Sequence, residues 1–249
     1  MQAKSTLEDA LALMRDLRAR CEWDREQTHA SLRPYLIEET HELDDALRSN
    51  DADAMREELG DVLLQVLFHS VLAEEAGDFD AHDVAGGLIE KMKRRHPHLY
   101  GGGVKERWET MKARTRGSLT EGLPSGLPAL HRAQRLQDRA AGVGFDWPDV
   151  EGPALKVEEE LAEVREQLAR PREDARDALE AELGDLLFAV VNLCRRANVH
   201  AAVALDRANE KFVRRFEGME RLAAERHVTL SSLDAAGLDA LWNEVKGAE

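Results

Sequence analysis

The chain has 249 residues, enough for two domains of about 120 each, and its net charge of −15 excludes a general binder of nucleic-acid backbone, which needs basic surface. Hydrophobic residues make up 43% and charged residues 33% while aromatics reach only 5%, a balance that suits amphipathic helices better than a sheet sandwich. Cys21 and Cys194 supply neither a disulfide framework nor zinc-ligand spacing, so reduced thiols in a cytoplasmic protein are expected.

The opening stretch "MQAKSTLEDALALMRDLRAR" is amphipathic, with Leu7, Leu11, Met14 and Leu17 on one stripe. It carries Glu8, Asp9 and Asp16 where a signal peptide would be apolar. No apolar run approaches the roughly 20 residues that a membrane span requires. A helix through "EETHE" (38–42) is followed by a polar turn at Ser49-Asn50-Asp51 and a second helix through "ELGDVLLQV" (58–66), with Val62, Val66 and Leu67 on its apolar stripe. "HPH" at 96–98 reads as a helix terminus and "GGG" at 101–103 as a loop. Between residues 117 and 128, Gly117, Gly122, Pro124, Gly126 and Pro128 cannot share one helix, which predicts a linker. Beyond it come a helix through "EELAE" (159–163), a turn marked by Pro171, and a helix striped by Leu183, Leu187, Val190 and Val191. No alternating strand pattern occurs, so the expected fold is all-α.

The two halves repeat each other. "EETHE" answers "EELAE", "ELGDVLLQV" answers "ELGDLLFAV" (182–190), "EKMKRR" (90–95) answers "EKFVRR" (210–215), and "WETMK" (108–112) answers "WNEVK" (242–246). The four phrases keep their order at offsets of 121, 124, 120 and 134 residues. A tandem duplication of a helical bundle follows, with domains at 1–116 and 129–249 and the linker 117–128 between them.

The acids carry the chemistry. Glu38, Glu39 and Glu42 fall on neighbouring positions of one helix face, and so do Glu58 and Asp61 on the next helix. Both clusters lie about ten residues from the turn at Asn50, roughly 15 Å at 1.5 Å per residue, so an antiparallel hairpin sets them at one height. The second half repeats the arithmetic with Glu160 and Glu163 against Glu182 and Asp185, about the turn at Pro171. Solvated acidic faces are common in so acidic a chain. Here, however, Asp61 and Asp185 each run straight into apolar residues, so four carboxylates converge at the edge of a core. Unpaired charge there is destabilising by several kcal/mol, and a divalent cation with all-oxygen ligands, Mg²⁺ or Mn²⁺, relieves it. Gly60 and Gly184, poor helix formers between the acids, suggest close helix approach. Glu38 and His41 form the ExxH spacing of di-iron bundles, but Ala162 stands where the second half would repeat the histidine.

Cations on later helices, Lys91, Arg94 and Arg95, then Lys211, Arg214 and Arg215, suit a polyanion held by the metal. Lys156, three residues before Glu159, projects from the face of the second cluster, and Tyr35 is its counterpart in the first half. Trp242 suits either base stacking or a core plug. No P-loop or nucleophilic triad occurs, which leaves water as the nucleophile.

"KVEEELAE" (156–163), "ELGD" (182–185) and "KFVRRF" (211–216), together with "EWDREQT" (22–28), "EETHE" and "RRHPH" (94–98) in the first half, resemble the MazG-type nucleoside triphosphate pyrophosphohydrolases in their two-domain form. The resemblance covers nearly the whole chain. It implies an all-α homodimer that cleaves nucleoside triphosphates to monophosphate and pyrophosphate with Mg²⁺, in nucleotide-pool cleaning or regulation. Carried over by position, it implies Glu160, Glu163, Glu182 and Asp185 as metal ligands and, with Glu159, as the catalytic set. It implies Lys156, Glu159, Lys211, Arg215 and Trp242 as substrate contacts. Glu39, Glu42, Glu58 and Asp61 keep the ligand pattern in the first half, but Tyr35 departs from the lysine, so the second half is expected to carry the activity. A non-catalytic nucleotide sensor or a purely metal-binding helical scaffold is the competing expectation.

Overall fold

Several helix starts in this chain are fixed by side chains that replace missing backbone partners. Thr6 accepts a hydrogen bond from the Asp9 amide (3.2 Å) while Asp9 accepts from the Thr6 amide (2.8 Å), a reciprocal cap that opens the first helix. The computed structural model describes residues 5–106, 108–170 and 172–248, with side chains in the last span from 176 onward, and every regular element among them is helical. The chain divides into two compact units, Met1–Lys105 and Glu106–Glu249.

The first unit contains α1 (Leu7–Arg20), α2 (Glu22–Glu26), α3 (His29–Ser49), α4 (Ala52–Ala76), α5 (Ala81–Arg95) and α6 (Pro97–Tyr100). Its core joins Leu11 and Met14 of α1 to Leu32 of α3 and to Phe68, Val71 and Leu72 of α4. Leu7, expected on the same stripe, is 67% exposed, because it lies in the first turn and outside that cluster. The α3–α4 turn forms where expected. Asn50 adopts the left-handed conformation (φ 56°), and Asp51 caps α4 by accepting from the Asp53 and Ala54 amides at 2.9 and 3.3 Å. His96 and Pro97 mark the boundary between α5 and α6, as the sequence suggests.

The second unit contains α7 (Trp108–Ala113), α8 (Ala129–Gly142), α9 (Glu151–Leu168), α10 (Arg172–Arg196), α11 (Ala201–Glu225), a 3₁₀ turn at Leu230–Ser232 and α12 (Ala235–Gly247). Pro171, the expected turn marker, lies outside the described residues. A cluster of Met219, Ala223 and Leu241 locks α11 to α12, with Trp242 and Val245 packed against it. A methyl group built at Gly218 would meet Val245 Cγ1 at 2.8 Å, so only glycine lets these helices approach so closely. Asp146 binds both Arg195 and Arg196, fastening the loop before α9 to the end of α10.

Several sequence expectations change here. The segment 117–128, read as the linker, falls inside the second unit, because α7 precedes it and packs on α8. Glu109 of α7 pairs with Arg135 of α8 at 2.9 Å, and buried Arg139 of α8 donates to the carbonyls of Leu119 and Glu121, holding the segment down. "WETMK" thus packs on α8 while its counterpart "WNEVK" packs on α11, and the fourth repeat match does not extend to three dimensions. On α10 the stripe divides: Val191 is buried, whereas Leu183, Leu187 and Val190 are exposed, Leu187 at 60%. Val66 on α4 is also exposed, and Phe68, Val71 and Leu72 take the core positions. These helices are apolar on more than one side, and a single unit covers only one side. Nor do Gly60 and Gly184 serve close helix approach, since an added methyl group would meet nothing within 4 Å at either position.

Candidate active site

The α3–α4 hairpin brings together Glu39, Glu58 and Asp61, and the α9–α10 hairpin brings together Glu160, Glu163 and Glu182. In each trio one carboxylate oxygen per residue lies within 4.8 Å of the others. Glu42 is exposed and outside the first trio, yet its charge reaches Glu39 and Glu58. Asp185 is exposed and outside the second trio, one turn from Glu182 on α10. His41 is exposed on α3 and has no place among these groups.

Electrostatics show strain in both clusters. Partial burial, then the charges of Asp61, Glu42 and Glu58, push the Glu39 carboxyl above its ordinary range. Glu58 moves the same way, through desolvation and then Glu42 and Asp61. Glu163 is raised by desolvation and by Glu160 and Glu182, with Lys156 opposing. Two oxygens stand out: Oε2 of Glu58 and Oε2 of Glu160 are buried and accept no hydrogen bond from the described residues. Glu160 is the more extreme, at 5% exposure. A buried carboxylate oxygen without a donor is destabilising, so each site contains an acceptor suited to a cation. Converging oxygens with no sulfur or imidazole fit a hard divalent ion.

The two clusters differ in their neighbours. Lys156 Nζ lies 2.7 Å from Glu160 and 2.9 Å from Glu159, and these bonds, Glu160 first, raise the ammonium above its ordinary range. Tyr35, the counterpart in α3, instead meets Trp23 edge-on with ring centroids 6.1 Å apart. On α11, Lys211 is exposed one turn before Arg215. The Arg215 guanidinium lies over the Trp242 ring, 5.6 Å from its centroid, and Phe212 sits 5.5 Å from the same ring. Trp242 is half-buried against the α11–α12 core, which favours the plug over a free stacking platform.

Sequence spacing missed the contacts that brace the second site. Gln137 of α8 donates to the Phe188 carbonyl of α10 at 2.8 Å, and Gln134 accepts from the Ala201 amide at 3.1 Å. Polar residues on an apolar-facing helix side were the available signal. The Lys156–Glu160 pair was legible as an i,i+4 contact, although its geometry with a buried partner was not.

Each helical hairpin gathers carboxylates from both arms into a group that could hold a divalent cation, and in the second a lysine of one arm lies among them. The MazG nucleotide pyrophosphohydrolase domain pattern matches this chain twice, over residues 27–100 and 152–219, and so spans both hairpins. A Thermotoga maritima protein named nucleoside triphosphate pyrophosphohydrolase/pyrophosphatase MazG is 45% identical over 100% of this chain and 98% of its own length. An Escherichia coli K12 protein named nucleoside triphosphate pyrophosphohydrolase is 43% identical over 95% of this chain and 94% of its own length. The chain belongs to the MazG nucleotide pyrophosphohydrolase family.

Proposed function

We propose that this protein hydrolyses nucleoside triphosphates to nucleoside monophosphate and pyrophosphate at the α9–α10 site, with Mg²⁺, or Mn²⁺ in its place. The observation that carries this reading is Glu160, a buried carboxylate with one oxygen unsatisfied, at the centre of an acidic trio in the second matched domain. The names of the relatives support the reaction class.

Glu160, Glu163 and Glu182 would hold the cation, with Asp185 as the nearby fourth carboxylate. When bound, the cation screens the triphosphate from the acids and draws charge from the α-phosphoryl oxygens. Water attacks the α-phosphorus, its proton passes to the carboxylate of Glu159, and the bond from the α-phosphorus to the α,β-bridging oxygen breaks. Pyrophosphate leaves with the electron pair. Lys156, Lys211 and Arg215 supply positive charge for the phosphates, while Trp242 holds the Arg215 guanidinium by stacking.

The same reading extends to oligomeric state, place and role. Leu187, Phe212 and Phe216 are large apolar residues exposed on α10 and α11, which supports a homodimer in which a second copy covers them. Light scattering that finds a monomer ends that part. Among the described residues no helix is long and apolar enough to cross a membrane. Free cysteines and acidic charge suit a cytoplasmic enzyme of nucleotide-pool cleaning that does not bind nucleic acid generally.

The test is product identity over a panel of canonical and damaged triphosphates with Mg²⁺. Monophosphate and pyrophosphate are expected; diphosphate and orthophosphate would sink the mechanism. Nucleotide binding without turnover would make the protein a sensor. A loss of thermal stability on chelation, with no nucleotide effect, would leave a structural metal site.

A further inference from the structure

Lys156 occupies an unusual place for a residue whose expected task is to contact phosphate. Its ammonium, at the solvent-exposed edge of the site, lies 2.7 Å from Glu160, the most buried acid of the trio, and 2.9 Å from Glu159. One oxygen of Glu160 is therefore held by the lysine, and the other has no donor among the described residues. A divalent cation at Glu160, Glu163 and Glu182 would share the same carboxylate with an ammonium, and like charges within a few ångströms repel. The lysine has the means to leave. Its side chain is 39% exposed, and its four-carbon stem turns freely. In the first unit the counterpart position is Tyr35, which is engaged with Trp23.

We propose that Lys156 is a displaceable internal counter-ion: it holds Glu160 while the site is empty, competes with the divalent cation for that carboxylate, and moves off when the cation enters. The substrate's triphosphate then offers the released ammonium a new anionic partner. Cation uptake at the second site is thereby coupled to substrate, whereas a site without the lysine would take its cation unaided. Lys156 acts here as a positioning residue, and the inference rests on the cation reading above but not on the reaction.

The experiment is a nucleotide-free Mn²⁺ titration of the full chain, following the electron paramagnetic resonance signal of free Mn²⁺. The site in question is the one that Glu160→Gln removes. At that site Lys156→Met is expected to bind Mn²⁺ about tenfold more tightly than the unchanged chain, and Lys156→Arg to stay close to it. Unchanged or weaker binding in Lys156→Met overturns the proposal, as does the absence of any Mn²⁺ uptake that Glu160→Gln abolishes. Should Lys156→Met fail to fold, amine labelling of the unchanged chain decides. Labelling of Lys156 should quicken several-fold when Mn²⁺ is added, and an unaltered rate overturns the idea. Because neither measurement needs turnover, a chain that releases no pyrophosphate can still pass, and an active one can still fail.

Discussion

The α3–α4 and α9–α10 hairpins place acids at matching heights, yet among the described residues a lysine is seen paired with the acids in the second. In the first, Glu39 and Glu58 are raised above their ordinary range, and an aromatic pair, Tyr35 on Trp23, stands where a cation would serve them. In the second, Lys156 bridges Glu159 and Glu160 and opposes the upward shift of Glu163. Duplication preserved the acids more closely than their neighbours. On the proposed reading the neighbours decide what such a set can do, because the acids would hold a cation and the lysine would link it to an anion.

The largest expected effect separates the hairpins directly. Glu160→Gln should lower pyrophosphate release by more than about a hundredfold, since even residues behind metal ligands cost 10–100-fold when changed. Glu39→Gln should change it by less than about threefold, as expected of a separate site. The reverse pattern would move the activity to the first unit. A chelator should abolish release and excess Mg²⁺ restore it; release that persists in chelator removes the cation from the mechanism.

A second contrast concerns how the units are held together. Both units add ion pairs to an apolar core: in the first, Arg18 ties α1 to Glu75 of α4, and in the second Glu109 meets Arg135, Lys112 and Arg116 at 2.9, 3.0 and 3.3 Å, a larger charged clasp. Burial alone would raise the Glu109 carboxyl, but hydrogen bonds from Arg135 and Lys112 outweigh it and hold it at about 2. Removing the acid leaves three cations crowded together, so Glu109→Gln should destabilise the second unit by about 2–4 kcal/mol in a denaturant titration. The pH dependence has a definite sign. The folded value lies below the unfolded one, so the contribution, on the order of 3 kcal/mol, is complete above about pH 4.5 and disappears as pH falls towards 2. The first unit, where Arg18 lowers the carboxyl of the more exposed Glu75, should lose less over that window. Equal acid sensitivity of the two units would show that the clasp contributes little.

The hairpins and their acids were legible in the sequence because a turn and a 1.5 Å rise fix which residues face each other. The all-α fold followed from apolar spacing for a similar reason. The buried face of α10 was not legible. Leu183, Leu187, Phe188 and Val190 are exposed although buried Val191 lies on the same broad apolar face, and spacing cannot tell a core side from a side left open to another chain. The allegiance of α7 was hidden too, since a pair between Glu109 and Arg135, 26 positions apart, leaves no mark in apolar periodicity. Proline and glycine between 117 and 128 signal an irregular chain. They do not say that Arg139 will hold that chain against α8.

Gly60 and Gly184 give the smallest effect and the finest test of symmetry between the hairpins. Both lie in mid-helix, and a methyl group at either would meet no atom within 4 Å in the single chain. Replacing glycine by alanine there should therefore stabilise each helix by up to about 1 kcal/mol, through helix propensity and a less flexible unfolded chain. The gain should be equal at the two positions if both faces stay open in solution. A gain at Gly60 with a loss at Gly184 would mean that another chain packs against α10 beside Glu182 and Asp185. The glycine would then be serving close approach between subunits, and the exposed Leu183 and Leu187 would belong to the same contact. Melting both variants at two protein concentrations separates these cases, because only a contact between subunits makes the difference depend on concentration.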